Sequence, residues 1–531
     1  MFSFANQNHA DTCPQADVLI PDNKRELWTA LGQVYGTEAF TVKAAHWLGG
    51  AVRIPTESYD DMGPVSEDPR WNIFSALHNY LLGAFPLVHS ALSLTKVNTY
   101  ALMYVWEGSD ASLKPVLLAA HQDVVPVDQS TADNWIHPAY SGHFDGERIW
   151  GRGSVDDKSG LIGILSGIES LLGQGFQPTR MFVLAFGFDE EGAGHLSEAL
   201  RSAFGENAFS FIIDEGGGFT EQYGSVFATP GITEKGYLDV KVEVTAPGGH
   251  SSVPPKHTSI GILSSLIVKY EANPYSVSLT REDPLYSTMQ CIGRHGADVP
   301  SDLRKVIKRA THSEKALHSL AKLLFENPVY ESFVGTTQAV DLIQGGVKVN
   351  ALPELAWAVI NHRISVISSV KKTMVHDTHL VESLAKDFNL TYYAFGTRIS
   401  EEGAPSSGTL TLSDVFRSAH EPAPVTPTGK NAAPYQFLSG TIKAAYNSHR
   451  SLQGSDTIVV SPGMPSGNTD TVLYWKLSKH IFRYGHRNGG NTTNRLSGVH
   501  SVNESMPIDS FVEIIRFFTT LILNADESKT L

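Results

Sequence analysis

A chain of 531 residues exceeds what one hydrophobic core organises, so two domains are expected. Hydrophobic residues at 41% and charged residues at 18% describe an ordinary globular protein. A formal net charge of −14 excludes a basic field for holding nucleic-acid phosphates, and no apolar run approaches the ~20 residues that span a bilayer.

The opening stretch, MFSFANQNHADTCPQADVLIPDN, has no basic segment followed by an apolar one, so no signal peptide is visible. A longer natural form, with its targeting segment removed from this version, is compatible with that. Cys13 and Cys291 are the two cysteines, and their spacing leaves one disulfide or two free thiols equally open. Asn389, Asn491 and Asn503 begin triplets that permit glycosylation.

Residues 23–48 read as a helix, the Pro-rich acidic tract after it as an exposed loop, and residues 72–93 as helix again. Thr99–Trp106 opens a series of short apolar strands. Val116–Ala120 and Met181–Phe186 have the continuous apolar character of strands buried on both faces. Between them, apolar residues at 161, 164, 165, 168, 171 and 172 follow helical spacing, so this part is a βαβ unit and the class is α/β.

The pattern changes after Glu234. Tyr237–Thr245 alternates as a half-buried strand does, and Ser259–Tyr270 reads as an amphipathic helix. Thr336–Ile343 and Leu355–Ile364 resemble strands, Val370–Asp387 a helix, and Leu390–Phe395 a further strand. This β-α-β-β-α-β succession predicts a four-stranded sheet with two helices, interrupted by a helical insertion at Ser301–Glu326 and ending near residue 400. Beyond the Pro-rich stretch Glu421–Pro434 the α/β character returns, with Ile442–Asn447 helical, Thr457–Val460 a buried strand, and Ile508–Leu523 an amphipathic helix opened by Pro507. The predicted organisation is a first domain of residues 1–235 and 401–531, with residues 236–400 inserted into it.

Several apolar runs end in groups that carry chemistry. In His121-Gln122-Asp123 the outer residues share a face of an extended strand, so Asp123 can fix the tautomer of a metal-binding His121. A surface histidine beside an acid is the plainer alternative. In WGRGSVDDK a third glycine is missing for dinucleotide binding, and Asp157 stands where a phosphate loop needs glycine. Asp156-Asp157 opening a helix could equally be capping. Asp189-Glu190-Glu191 and Asp214-Glu215 repeat the theme at strand ends, where adjacent acids repel unless cations neutralise them. No Gly-x-Ser-x-Gly elbow serves a serine hydrolase, and Pro422 and Pro424 preclude a zinc-binding helix at His420.

Taken together, HQDVVPV, WGRGSVDDKSG, FDEEG, IDEGG, GGHSS and GVHSVNE resemble the co-catalytic di-zinc aminoacylase/carboxypeptidase family, in its carboxypeptidase S (Gly-X carboxypeptidase) branch. The resemblance implies a catalytic domain with a mixed sheet flanked by helices, plus an inserted α+β, ferredoxin-like lid of the dimerisation type. It implies two zinc ions per subunit, with Co2+ or Mn2+ as substitutes, bridged by Asp156. His121 and Asp214 would complete one site, Glu191 and His500 the other. Glu190 would be the general base, Asp123 the partner of His121, and His250 the oxyanion-stabilising histidine, often supplied by a partner subunit.

Asn350 and Arg363 resemble the pair that binds a substrate's terminal carboxylate, a task suited to a planar guanidinium, and Gly467 resembles a glycine lining that pocket. The implied activity is release of C-terminal residues from short peptides by metal-activated water. The alternative is an N-acyl-amino-acid amidohydrolase or synthase, including long acyl chains. Either takes a substrate with a free carboxylate, in a vacuolar or secreted setting, from a chain that could form a homodimer. His362 and the stretch HIFRYGHRNGG depart from the family pattern, so side-chain preference is not borrowed.

Overall fold

Strand order and side-chain burial divide the chain between two main sheets in a computed structural model, which describes residues 13–59, 61–188, 193–403, 406–465, 467–490 and 498–531. The first sheet has eight strands. It runs from Ser93–Val97 through Ala101–Trp106, Phe182–Gly187, Val116–His121, Ile212–Gln222 and Ser225–Ala228 to Val459–Val460, while Ile481–Asn488 also pairs with Ile212–Gln222. Phe182–Gly187, Val116–His121 and the start of Ile212–Gln222 are parallel neighbours, every residue of Phe182–Gly187 is buried, and their carboxyl ends share one edge. Crevices at such an edge are where open α/β sheets bind ligands.

Helix Lys158–Gly173 crosses between two of these strands and packs on helix Ile508–Glu527. The latter is buried along nearly its whole length, beyond the amphipathic helix the sequence predicts. Its buried charged groups find partners: Glu513 pairs with Arg450, and Asp526 accepts the Arg180 backbone N–H. Two expected long helices are broken. Residues 25–52 split into Arg25–Tyr35 and Glu38–Val52, because Thr37 caps the second helix by accepting the Phe40 N–H. Residues 73–91 break at Pro86, whose missing N–H ends the run.

The second sheet has the order Thr337–Gly345, Leu355–Ile364, Gly236–Thr245, Thr409–Asp414, Thr391–Ala394, Thr397–Arg398. Leu238, Val240, Val242 and Val244 point into its own core, against helices Ser259–Glu271 and Val370–Asp387. Strand Thr409–Asp414 is an addition to the sequence reading. It lies beyond the boundary expected near residue 400 and separates Thr391–Ala394 from Gly236–Thr245. Only Leu410 and Leu412 alternate inward along it, too short a pattern to stand out.

The helical insertion is longer than expected: Pro284–His295, Ser301–Ala310, Glu314–Leu324 and Pro328–Val334 pack together, against Phe227 and Val459 of the first sheet. Cys13 and Cys291 are bonded to each other, tying the amino-terminal segment to this helical layer.

One polar anchor sets the height of the His121 strand. Gln122 is fully buried, and its amide donates to the carbonyls of Tyr100 and Phe186. Its Oε1 therefore accepts from His78 Nε2 at 2.9 Å, leaving Nδ1 to accept from Lys96 Nζ at 2.9 Å. His78 is thus neutral, and burial together with Lys96 lowers its pKa from an ordinary 6.5 to about 4. Protons bind the unfolded chain more readily across that window, so this contribution is complete above about pH 6.5 and lost as pH falls toward 4. Replacing His78 by Gln should flatten the pH dependence of the unfolding free energy, measured by urea titration, by about 2–3 kcal/mol over that range. Parallel profiles for the two proteins would remove His78 as the source.

Candidate metal centre

His121 closes strand Val116–His121, so its ring stands at the carboxyl edge of the sheet. Its Nδ1 lies 3.1 Å from both the backbone O and the Oδ1 of Asp123. Those acceptors place the proton on Nδ1 and leave the Nε2 lone pair facing inward. Ser58 Oγ donates to the other Asp123 oxygen at 2.7 Å, so the orienting carboxylate is itself held.

Nε2 of His121 lies 3.6 Å from Asp156 Oδ1 and 3.5 Å from Glu215 Oε2. Asp156 Oδ2 lies 3.0 Å from His500 Nε2, so this one carboxylate stands between the two imidazoles. The Asp156–Asp157 peptide bond is cis. His121, Asp157 and Glu215 offer ligand atoms that all lie within 4.8 Å of one another.

Asp214 and Glu215 are adjacent on strand Ile212–Gln222, where successive side chains take opposite directions. The register with Ile481–Asn488 shifts here, from Arg483 opposite Asp214 to Tyr484 opposite Gly217. Glu215 falls in that bulge, which aims its carboxylate toward His121, as bulges beside functional sites commonly re-aim a side chain. Asp214 is buried and accepts the Glu215 N–H through Oδ1, while its Oδ2 has no hydrogen-bond partner among the described residues. Asp470, at the start of turn Asp470–Leu473, interacts with Asp214, His121, Asp123 and Glu215.

The electrostatics are those of an acid-rich centre. Burial, reinforced by the Glu215 charge, raises Asp214 to about 7 and Asp157 well above the carboxylate range. Burial and Asp214 do the same to Asp470. Asp156 goes the other way, because hydrogen bonds from His121 and His500 outweigh its burial. Burial opposes a charge on His121, yet Glu215 and Asp123 overcome it and hold the ring well above its usual pKa.

Nearby cations do not fill the centre. Lys158 turns away to the carbonyls of Ala51 and Ile54. Arg487 donates to the carbonyls of Val155 and Gly216, which ties the loop bearing Asp156 to the strand bearing Glu215. Arg483 is bound by Glu234 and Thr471. An inward imidazole lone pair beside several carboxylates, two with buried oxygens at Asp157 and Asp214 that find no partner among the described residues, is a donor set that fits a divalent cation.

A second cluster adjoins the first. Arg363 closes strand Leu355–Ile364, stacks 4.5 Å over the Tyr237 ring and donates to Asn468 Oδ1. Asn468 in turn donates to the Lys235 carbonyl at 2.6 Å. Thr469 and Thr471 donate to Glu234, so residues 468–471 form one fixed turn between Arg363 and Asp470.

A family model described as "Peptidase family M20/M25/M40" matches residues 117–524. The chain belongs to this peptidase family. Among curated relatives of the M20 chain, carboxypeptidase S of Saccharomyces cerevisiae is 38% identical over 530 residues, covering 98% of this chain and 90% of the relative. The mouse N-fatty-acyl-amino acid synthase/hydrolase PM20D1 is 31% identical, covering 93% and 89% respectively. Among solved structures, the M20 family metallo-carboxypeptidase Sso-CP2 from Sulfolobus solfataricus aligns with a TM-score of 0.59 at 16% identity, over 91% of this chain and 99% of that one. That likeness shows the α/β fold with mixed sheets and flanking helices.

Of the residues singled out in this M20 chain from sequence, the structure brings His121, Asp123, Asp156 and His500 together. It puts Glu215 against His121 where Asp214 was expected, and seats Asp214 beside that group toward Asp470. Glu190 and Glu191 lie outside the described residues. Arg363 adjoins the turn that follows Gly467, although a Cβ at Gly467 would meet open space and no close approach requires glycine there.

His250 and Asn350 are elsewhere. Gly249–His250 pairs with Ala351–Leu352 past the Thr245 and Leu355 end of the second sheet, where the His250 ring accepts from Ser252. Arg363 is at the opposite end of that strand, roughly 25 Å away for eight residues at ~3.3 Å each. One chain therefore does not bring Asn350 and Arg363 onto a single carboxylate. Asp470 and Arg487 were missed from sequence. Asp470 sits inside the MPSGNTDT motif and Arg487 inside the atypical HIFRYGHRNGG, so both were adjacent to a signal.

The geometry ranks the two neighbouring acids. Zinc retained after dialysis should fall at least about 10-fold for Glu215→Gln and by less for Asp214→Asn. The reverse ranking would return the ligand role to Asp214.

Proposed function

We propose that this chain is a metal-dependent carboxypeptidase that hydrolyses the C-terminal amide bond of short peptides. The single observation that carries the reading is the placement of Asp156 between His121 and His500, with Glu215 against His121 and the Arg363 turn alongside. His121, Asp156, Glu215 and His500, together with Glu191, would hold two zinc ions, with Co2+ or Mn2+ as substitutes. When bound, such a pair supplies Lewis acidity and lowers the pKa of a water near the amide.

The protein's own groups do the rest. Asp123 keeps the His121 proton on Nδ1. Arg363, preset by Asn468 and Tyr237, binds the terminal carboxylate of the substrate and so selects a C-terminal residue. Glu190 takes the proton from the attacking water and returns it to the leaving amine nitrogen, a role open to the acid of the adjacent pair that is not bound to metal.

His250 and Asn350 suit a site completed by a second copy of the chain. The strand Thr337–Gly345 is an edge, and Leu342, Ile343, Val347 and Val349 near it are exposed. Open apolar edges of this kind favour pairing with another chain. A homodimer through this edge would carry His250 toward the partner's centre. The Cys13–Cys291 disulfide supports an oxidising, vacuolar or secreted setting, which cell fractionation would check.

A second reading is favoured by the mouse relative, whose name gives both synthesis and hydrolysis of N-fatty-acyl amino acids. It uses the same centre and carboxylate clamp on an N-acyl amino acid, with an acyl chain in place of the peptide. A panel of dipeptides, C-terminally amidated dipeptides and N-acyl amino acids separates the two. The carboxypeptidase reading expects free-carboxylate dipeptides to have the highest kcat/KM. It also expects Arg363→Ala to lower that value about 100-fold while sparing amidated substrates. Preference for long-chain acyl amino acids would replace the first reading by the second, and equal losses on amidated substrates would remove the clamp.

Subunit exchange tests the dimer. Glu190→Gln alone should lose several orders of magnitude in kcat, and His250→Ala alone about 100-fold. Mixed after dissociation, the two should regain up to about a quarter of parental activity, because half the dimers are mixed and each has one intact site. No recovery, with a monomer in sedimentation, would place His250 outside the reaction.

A further inference from the structure

We infer that Glu504 is a positioning residue that locks the loop bearing Asp156 to the loop bearing His500, and thereby sets the affinity of the metal position between them. This rests on the reading of Asp156 and His500 as metal ligands.

Glu504 is fully buried, four residues after His500 in GVHSVNES. Its Oε1 accepts three backbone N–H groups from the other loop: Gly153 at 3.0 Å, Val155 at 2.9 Å and Asp156 at 3.2 Å. Its Oε2 accepts from Arg152 Nη1 at 2.7 Å. Its backbone O accepts the Gly151 N–H at 2.9 Å. The antiparallel pairing of Ser505 with Trp150 then continues the same seam.

All four side-chain bonds come from donors, so the group acts as an ionised acceptor. One of these N–H groups belongs to Asp156 itself. The loop cannot easily shift without breaking several bonds in a buried place, where each orphaned N–H costs about 1–3 kcal/mol. Gly153 has φ +85°, and a Cβ there would fall 2.5 Å from Val124, so this backbone path is available to glycine in this packing.

The His500 side of the seam is held too. Asn503 accepts the Ile136 N–H at 2.7 Å and donates to the Asn134 carbonyl, fixing the turn between His500 and Glu504 to the loop that follows the His121 strand. The 3.0 Å approach of His500 to Asp156 therefore stands at the junction of two loops that are clamped just beside it. A sheet edge alone would leave both loops free to part when a cation enters or leaves. With Glu504 in place, the donor atoms are spaced before any ion arrives.

Two contributions of Glu504 can be told apart. The Arg152 pair neutralises a buried charge and bears on stability, whereas the three N–H bonds bear on the position of Asp156. Arg152→Met removes the first and leaves the second. The double replacement Arg152→Met with Glu504→Met removes both without leaving an unpaired buried charge.

Zinc binding by the full chain, stripped with chelator and titrated calorimetrically with zinc ion, reads the difference directly. The parent should show two binding events. Arg152→Met should stay within about threefold of both. The double variant should keep one event and weaken the other 10- to 100-fold, with hydrolysis partly restored by excess zinc. If the double variant does not fold, the pair Arg152→Leu with Glu504→Leu, which likewise offers no acceptor to the three N–H groups, should show the same selective loss. Equal weakening in Arg152→Met and the Glu504 variant, or no weakening in either, would overturn the assignment. A parent protein that binds no zinc would instead overturn the metal reading on which it rests.

Discussion

The mutual repulsion of carboxylates gathered where water is scarce is the constraint on which the structure depends. Asp156, Asp157, Asp214, Glu215 and Asp470 converge at one sheet edge, and burial pushes Asp157, Asp214, Glu215 and Asp470 toward their neutral forms. Few arrangements tolerate this. Protonated acids can share hydrogen bonds, an imidazolium can sit among them, or a cation can bind. His121 takes the second course with its raised pKa, an answer that costs the ring the lone pair it directs at Asp156 and Glu215. The same geometry with a divalent ion in place of that proton satisfies more acids at once.

Holding such a group together requires a scaffold that spends its own cations elsewhere. Arg483 is committed to Glu234, and Lys158 to the carbonyls of Ala51 and Ile54 at the carboxyl end of helix Glu38–Val52. Arg487 reaches across to the carbonyls of Val155 and Gly216 and braces the loop and the strand on either side. Each of these side chains lies near the acids yet is held by other partners. The positive charges therefore shape the walls and leave the interior acid-rich. Beneath the centre, Gln122 pins the His121 strand to its neighbours through carbonyls on both sides, and helix Ile508–Glu527 packs against the helix that follows Asp157.

Much of this was legible in the sequence, and the limits have physical causes. Continuous apolar runs gave the parallel strands, because a strand buried on both faces has no polar face to interrupt it. The alternation in 237–245 gave a strand of the second sheet for the opposite reason. Thr409–Asp414 was missed because two inward leucines are too few to define a period. Asp214 and Glu215 could not be ranked, since neighbouring residues on a strand differ only in the face they occupy, and a bulge set by pairing with a strand some 270 residues away decides the matter. The family resemblance made Asn350 and Arg363 a pair, but the extended strand from Leu355 to Arg363 holds them apart.

The two ends of the second sheet make opposite demands on the chain. At the Arg363 end, Tyr237, Asn468 and Lys235 lock the guanidinium to the turn that leads into Asp470, so Arg363 is rigidly referred to the acid centre. At the other end His250 lies exposed, bonded to Ser252 next door in the chain, and the neighbouring edge shows Ile343, Val347 and Val349 to solvent. A histidine meant to steady charge in a reaction gains little from such a place, because water screens it. Burying the apolar edge against a second copy would remove that water and supply the missing wall together. On the proposed reading, the side that is finished within one chain would recognise a carboxylate, and the side left open is the one that would act on the bond beside it.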